Sequence, residues 1–253
     1  MTNSDAKTFE PTGIAAQPIR INLRVLAIAE CLIVGFVILT GTASNYIITQ
    51  VATSPESSLY KLFCRFDLGH EPSLPQFVSA VGHVSCSCLL FFLAFVEWKS
   101  KRPIFRSWFM LGCVFIYLSI DESIMIHEMF NRPLREHLGL GEYFFFPWVL
   151  VALAAVVIVG FASLKLLRFV DSKTRWLFVI AGIVFVSGAV GMELVAGVIF
   201  ADAGSEELGV QRISHVIAQA IEEGMELSGI SIFFWAIVNY IRQSVGSLRI
   251  SIA

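Results

Sequence analysis

Acidic and histidine side chains occur inside several long apolar stretches of this 253-residue chain. An ionisable group inside a membrane span costs about 2.5–3.5 kcal/mol on insertion scales, so each such group indicates a functional site. The densest stretch runs from Ser119 to Glu128 and has the form S-x-D-E-x-x-x-x-H-E. A second acidic stretch, Glu222-Glu223-Gly224-Met225-Glu226, lies nearer the carboxyl terminus.

Helical spacing predicts that many of these groups share a face. Asp121 and Glu128 are seven residues apart, which corresponds to an angular separation of about 20° on one helix. A polar stripe in the last apolar stretch consists of His215, Gln219, Glu222 and Glu226. A groove of small residues, which would permit close helix packing, is predicted for Gly182, Ala189, Glu193 and Gly197. We expect these faces to point into a helical bundle and away from lipid.

The depth of the ionisable groups predicts a common site. At about 1.5 Å per residue, groups from four helices would lie roughly 9–15 Å below the outer membrane boundary. Several carboxylates in such a low-dielectric layer cannot all be ionised unless cations or protons accompany them. Carboxylates and histidines on facing helices are typical of dinuclear transition-metal sites, although no strict Glu-x-x-His motif is present.

We therefore predict a divalent transition-metal site with iron, zinc or manganese as the ion. The predicted metal ligands are His83, Asp121, Glu122, Glu193 and Glu222. The residues predicted to support these ligands, to carry protons or to form a second site are His127, Glu128, His215, Glu223 and Glu226.

Three functions are compatible with such a cluster. The first is a redox or hydrolytic enzyme acting on a lipid-soluble or periplasmic small molecule. The second is a cation- or proton-coupled transporter that uses the polar stripe as a relay. The third is a subunit of a membrane complex whose acids pair with basic residues of a partner. Structural roles also stay open, because Ser79 could satisfy His83 by hydrogen bonding and His127 could belong to a solvated helix end.

The composition is that of a membrane protein. Hydrophobic residues make up 56% of the chain and charged residues 15%, and the mean hydropathy is +0.75. Soluble domains carry about a quarter charged residues. The net charge of −2 and the lack of a dense basic patch argue against nucleic acid as a partner. Five cysteines without a CxxC pair support neither a disulfide framework nor a zinc knuckle.

The apolar stretches predict an all-α, polytopic membrane helical bundle. Helices are expected because backbone polar groups in lipid must be satisfied within each span. Each stretch is long enough to cross roughly 30 Å of hydrocarbon. The six predicted spans are residues 24–49, 77–97, 106–128, 144–167, 176–200 and 213–241.

The basic residues predict the orientation of the bundle. Thirteen of the 18 Lys and Arg residues lie on one side of the bundle, in the terminal segments, in alternate loops or at the span ends next to them. The positive-inside rule then places both termini in the cytoplasm. The predicted organisation is a cytoplasmic tail (1–22), a six-helix domain (23–242) with an outer loop (50–76), and a second cytoplasmic tail (243–253).

The string from Ser119 to Glu128 resembles a motif of uncharacterised bacterial membrane proteins with six spans. The resemblance covers most of the chain from about residue 60. It also includes Phe66-Asp67 with Glu71 and Pro75, Phe146-Pro147-Trp148, Gly191-Met192-Glu193 and the stretch from Glu222 to Gly229. It implies a protein of the bacterial inner (plasma) membrane and does not imply a reaction.

Overall fold

The fold is all-α. A computed structural model describes residues 22–51, 54–70, 72–139 and 145–244, and no strand occurs among them. The helices are α1 (Leu23–Gln50), α2 (Ser58–Cys64), α3 (Leu74–Lys99), α4 (Phe105–Ile124), α5 (Asn131–Leu138), α6 (Trp148–Phe169), α7 (Ser172–Val186), α8 (Glu193–Ala203), α9 (Glu206–Val210) and α10 (Ile213–Ser244). A π-helical segment, Ser187–Met192, joins α7 and α8 into one continuous span.

Within the part of the chain that the structure describes, six helical spans are long and apolar enough to cross a membrane. They are α1, α3, α4, α6, the continuous α7–α8 span and α10, and the predicted polytopic bundle is confirmed. The short helices α2, α5 and α9 lie in the connections at one end of the bundle, which we call the long-loop end. The opposite end, where short connections join α3 to α4 and α6 to α7, is the short-loop end.

Helix α10 lies at the centre of the bundle. It packs against α1, α3 and α7, and α3 packs along the length of α4. Trp108 of α4 is completely buried, and its ring centroid lies 5.2 Å from that of Tyr240 on α10. By contrast, α1 and α6 expose many large apolar side chains, as expected for surfaces that face lipid.

Side-chain caps fix several helix starts. Asn22 accepts hydrogen bonds from backbone N–H groups in the first turn of α1, and Ser73 does the same for α3. At the start of α7, Asp171 accepts from the hydroxyl and backbone N–H of Thr174 at 2.6 and 3.1 Å. These hydrogen bonds lower the pKa of Asp171. Caps of this kind satisfy the free N–H groups of a first helical turn.

The predicted end of the third span is wrong. The sequence predicts a helix to residue 128, whereas α4 ends at Ile124 and Met125 adopts a left-handed conformation with φ of +51°. The Asp121 carboxylate accepts a hydrogen bond from the backbone N–H of His127 at 2.8 Å, which stabilises the turn that follows the helix. Asp121 and Glu128 therefore do not lie on one helical face.

The remaining boundaries differ by smaller amounts or lie partly outside the described residues. The second span begins three residues earlier than predicted, at Leu74, and the fifth extends to Ala203. The loop at 50–76 contains α2, and its residues 52–53 and 71 are outside the described part. The predicted tails lie almost wholly outside it, because the structure describes only residues 22–244 with their internal gaps.

Candidate functional site

The π-helical segment approaches α10 very closely at Gly188. A Cβ atom at this position would lie 2.9 Å from the Glu222 carbonyl oxygen and 3.1 Å from Cγ of Glu226. Only glycine permits such an approach without displacing one of the helices. Because Glu193 immediately follows the π-helical segment, this contact brings its carboxyl group beside α10. Single π-helical turns are frequent at functional sites.

The small-residue groove predicted from ideal helical spacing differs from the observed contact. A Cβ at Gly182 would meet nothing within 4 Å, and one at Gly197 would make only an ordinary contact of 3.6 Å with Phe146. The close contacts occur at Gly188 and Gly229. The π-helical segment changes the number of residues per turn, so residues on either side of it leave the face that a uniform helix would give them.

Five carboxyl groups from the end of α4, the end of the π-helical segment and α10 interact electrostatically with one another. Those of Glu193 and Glu222 lie within hydrogen-bonding reach of one another. The strongest electrostatic interactions of Glu226 are with four other carboxyl groups. We call the five residues Glu122, Glu193, Glu222, Glu223 and Glu226 the carboxyl cluster. The structure thus brings together two predicted ligands from different spans, Glu193 and Glu222, with Glu122 in electrostatic contact.

Trp148 connects the carboxyl cluster to the long-loop end. Its indole N–H donates to Glu193 at 3.1 Å, and its ring centroid lies 4.6 Å from that of His127. The start of α6 is held in place because the backbone N–H of Trp148 donates to the Asn131 side chain at 3.1 Å. An aromatic ring therefore separates the carboxyl cluster from a histidine nearer the surface.

Asp121 and His127 form an ion pair at the long-loop end. Nδ1 of His127 lies 2.9 Å from Oδ2 of Asp121, and the His127 side chain is 28% exposed. Burial of the ring lowers the pKa of His127, but the hydrogen bond and the negative charge of Asp121 outweigh it and raise the pKa above the usual 6.5. Both Asp121 oxygens are engaged by His127. The carboxylate of Asp121, a predicted metal ligand, is therefore hydrogen-bonded to His127 through both of its oxygens in this structure.

His83 packs among aromatic rings, about one helical turn of α10 beyond Glu226. Its Nδ1 is 3.1 Å from the Ser79 carbonyl oxygen, and its ring packs against Phe115 and Phe185 at centroid distances of 5.9 and 5.5 Å. The adjacent Gly82 packs against Ile230, eight residues beyond Glu222 on α10. Eight residues correspond to about 12 Å along a helix. Glu226 is four residues before Ile230, about 6 Å along α10, and His83 also interacts electrostatically with Asp121.

His215 and Glu128 occupy separate surroundings. The His215 ring is buried against Phe200 at a centroid distance of 5.1 Å, and its Nδ1 has no hydrogen-bond partner among the described residues. Glu128 is exposed beyond the end of α4 and interacts electrostatically with Glu193 and His127. Of the two, only Glu128 acts on the carboxyl cluster.

A second polar group, not predicted from the sequence, joins α1 to α10. The amide N–H of Asn45 donates to Oε1 of Gln219, and the Gln219 side chain lies directly against Gly69. Asp67 is buried beside them, and this burial raises its pKa. One member of the predicted polar stripe, Gln219, is thereby directed toward α1 and the loop. Asn45 and Gln219 carry no charge, so a search for ionisable groups within spans does not single them out as a pair.

The described residues do not contain three or more His, Cys, Asp or Glu side chains already arranged to hold a metal ion. The predicted ligand set divides into three groups: His83 among aromatic rings, Asp121 on His127, and Glu122, Glu193 and Glu222 in the carboxyl cluster. Carboxylates alone are hard oxygen donors, which suit magnesium, calcium and, among the transition metals, manganese.

No curated protein matches this chain. No solved structure matches it either. Residues 25–240 match a family model described as a domain of unknown function, DUF8692. This match spans more than four fifths of the chain and contains every residue of the carboxyl cluster, so the protein belongs to the DUF8692 family.

Proposed function

We propose that the protein binds a divalent transition metal at the carboxyl cluster within the membrane. The observation that supports this most directly is the meeting of Glu193 and Glu222 within hydrogen-bonding reach, with Glu122, Glu223 and Glu226 close enough to interact. Several carboxylates in a low-dielectric region repel each other unless a proton or a cation is shared between them. A divalent ion would neutralise two of these charges at once.

Metal binding requires local rearrangement of side chains. The described carboxylates do not yet converge as three ligands, so those of Glu193, Glu222 and Glu226 would have to turn toward a common point. Glutamate side chains have several rotatable bonds that allow such rotation, and fixing each side chain costs about 1.5–2 kcal/mol of conformational entropy, which metal binding must offset. A metal held there would supply Lewis-acid or redox chemistry. A lipid-soluble or periplasmic small molecule is the proposed substrate class.

The metal content of the purified protein tests this proposal. We expect stoichiometric iron, zinc or manganese by elemental mass spectrometry, and its loss in Glu193→Gln and Glu222→Gln. Glu30→Gln is the matched control, because Glu30 on α1 accepts a hydrogen bond from Trp235, outside the carboxyl cluster. Thermal unfolding in detergent verifies that each variant is folded. Metal-free protein that also fails to bind added iron(II), manganese(II) or zinc(II) would refute the proposal.

A specific observation also favours proton-coupled or cation-coupled transport. Two carboxyl groups within hydrogen-bonding reach can share one proton in place of a metal. His127, partly exposed at the long-loop end, interacts electrostatically with Glu193. Flux in reconstituted vesicles distinguishes the two functions. Metal-free protein with pH-dependent flux, abolished by Glu193→Gln, would support transport.

We propose a location in the bacterial inner membrane with both termini in the cytoplasm. The distribution of Lys and Arg supports this, because the short-loop end carries Lys99, Lys101 and Arg102. Reporter fusions after Ser100 and after Arg132 test the orientation. We expect cytoplasmic reporter activity for the first fusion and periplasmic activity for the second, and the reverse result would contradict the proposal.

A further inference from the structure

A polar cavity opens at the short-loop end, on the opposite side of the bundle from the carboxyl cluster. It lies between the last turns of α3 and α10 and has a volume of about 320 Å³. Leu93 and Val96 supply its apolar lining, while Glu97, Arg102 and Tyr240 contribute polar groups, together with hydroxyl groups of Ser100 and Ser244. This volume is at the lower end of the range for small-molecule sites, about 300–1,000 Å³, and is sufficient for a small polar group.

The charges in this cavity are separated by depth. The Glu97 side chain is only 9% exposed, and its Oε2 has no hydrogen-bond partner among the described residues. The nearest cation is the Arg102 guanidinium at 3.6 Å, which is 62% exposed and beyond hydrogen-bonding distance. A buried carboxylate oxygen without a hydrogen bond is costly. The cavity thus has an unsatisfied negative group inside and a cationic group at its rim.

The aromatic and basic residues around the cavity place it at the level of lipid headgroups. Trp98 is exposed at the end of α3, and the Lys99 ammonium lies 5.3 Å from its ring centroid. Tryptophan and lysine concentrate at the boundary between membrane and water. Lys99 and Arg102 lie at this boundary, where basic side chains attract lipid phosphate groups.

We propose that this cavity binds the headgroup of an aminophospholipid of the phosphatidylethanolamine type. The primary ammonium would donate hydrogen bonds to the unsatisfied Glu97 carboxylate, and the phosphate would pair with Arg102 at the rim. In this headgroup a two-carbon linker joins the ammonium to the phosphate. The ammonium would then face Glu97 inside the cavity while the phosphate faces Arg102 at its rim. A choline headgroup has no N–H to donate, and a glycerol headgroup has no cation for Glu97, so both should bind more weakly.

Native mass spectrometry of the full-length protein with defined lipids tests this site. We expect phosphatidylethanolamine to be retained roughly tenfold better than phosphatidylcholine, since a hydrogen bond to a buried charge is worth at least one such factor. Glu97→Gln should abolish the preference, while Arg102→Gln should weaken retention of both lipids. Lys101→Gln removes the same charge outside the cavity lining and should change neither.

Three results would overturn the assignment. They are equal retention of the two lipids by the unaltered protein, a preference that persists in Glu97→Gln, and displacement of the lipid by soluble phosphoethanolamine at equal concentration. The last result would assign the cavity to a soluble ligand with the same charges. Thermal unfolding shows whether the variants are folded. If Glu97→Gln is unstable, Arg102→Gln still tests the site, because Arg102 is exposed and unchanged lipid retention in that variant would contradict the proposed pairing with phosphate.

Discussion

Gly188→Ala should separate the π-helical segment from α10 and disturb the carboxyl cluster. The added methyl group would lie 2.9 Å from the Glu222 carbonyl oxygen and 3.0 Å from Cβ of Met225. Neither atom can move without the helix itself. Overpacking of this kind costs about 1–3 kcal/mol, and replacing glycine with alanine in a helix offsets about 0.5–1 kcal/mol. We expect a net loss of roughly 1–2 kcal/mol in the free energy of unfolding.

Gly191→Ala is the matched control for this prediction. Gly191 lies in the same π-helical segment, but a Cβ there would meet nothing within 4 Å. Its substitution should leave the free energy of unfolding unchanged or raise it by up to about 1 kcal/mol, because alanine loses less conformational entropy than glycine in a helix. The difference between the two variants therefore isolates the contact with α10.

Equilibrium unfolding in mixed micelles, followed by circular dichroism, measures both variants. Metal content or pH-dependent flux should fall in Gly188→Ala and persist in Gly191→Ala, because only the first contact lies beside Glu222. Equal unfolding free energies for the two variants would refute the close packing at Gly188. If Gly188→Ala is destabilised while metal content and flux are unchanged, the close packing of the π-helical segment on α10 is not needed for the proposed function.

Three further predictions concern other contacts. NMR spectra of ring-labelled protein should show a pKa of His127 above its usual 6.5, and Asp121→Asn should lower that pKa. The pair stabilises the fold fully below about pH 6.5, and this stabilisation is lost as the pH rises through the pKa of His127 in the folded protein. Because burial raises the pKa of Asp67 above 3.8, stability should decline as the pH rises from 3.8 through the folded-state value, and Asp67→Asn should flatten that decline. Gly229→Ala should destabilise by roughly 1–2 kcal/mol after the same offset, since its methyl group would meet Cβ of Phe185 at 2.8 Å. An unchanged midpoint of thermal unfolding would contradict this.

Hydropathy was sufficient to predict the six spans and to identify the acids that form the carboxyl cluster. Apolar length is a strong signal because a helix is the only open-chain structure that satisfies its backbone in lipid. The cost of charge in a membrane similarly singles out Glu193, Glu222 and Glu226 among the residues of long apolar stretches. These two arguments depend on each residue's surroundings in the bilayer and not on how the helices pack.

The end of α4 could not be predicted from hydropathy. Residues 124–126 read Ile-Met-Ile and continue the apolar pattern, yet the chain turns at Met125. The turn depends on the Asp121 carboxylate, which accepts the backbone N–H and ring N–H of His127. A side chain that competes for backbone hydrogen bonds can end a helix without any change in local hydrophobicity.

The aromatic surroundings of His83 also lie beyond a calculation with uniform helices. Depth and helical angle describe one span at a time, whereas the lateral position of a side chain depends on tilt, register and irregular turns. Here the π-helical segment rotates Glu193 relative to Phe185, and Phe185 contacts His83. The pairing of Asn45 with Gln219 was missed for another reason: uncharged amides cost less in a membrane and so give a weaker signal.

The two ends of the bundle place glutamate in opposite electrostatic settings. At the short-loop end, Glu97 has a neighbouring guanidinium, so its charge is partly balanced by the protein itself. In the carboxyl cluster, the strongest interactions of Glu226 are with other carboxyl groups, and the nearest balancing side chain, His127, is separated from Glu193 by the Trp148 ring. We therefore expect the carboxyl cluster to take up a cation or proton that balances its charges, and Glu97 to take up a hydrogen-bond donor such as the lipid ammonium. Substitution of Glu97 should accordingly alter lipid retention and leave metal content unchanged, which makes the two proposed sites experimentally independent.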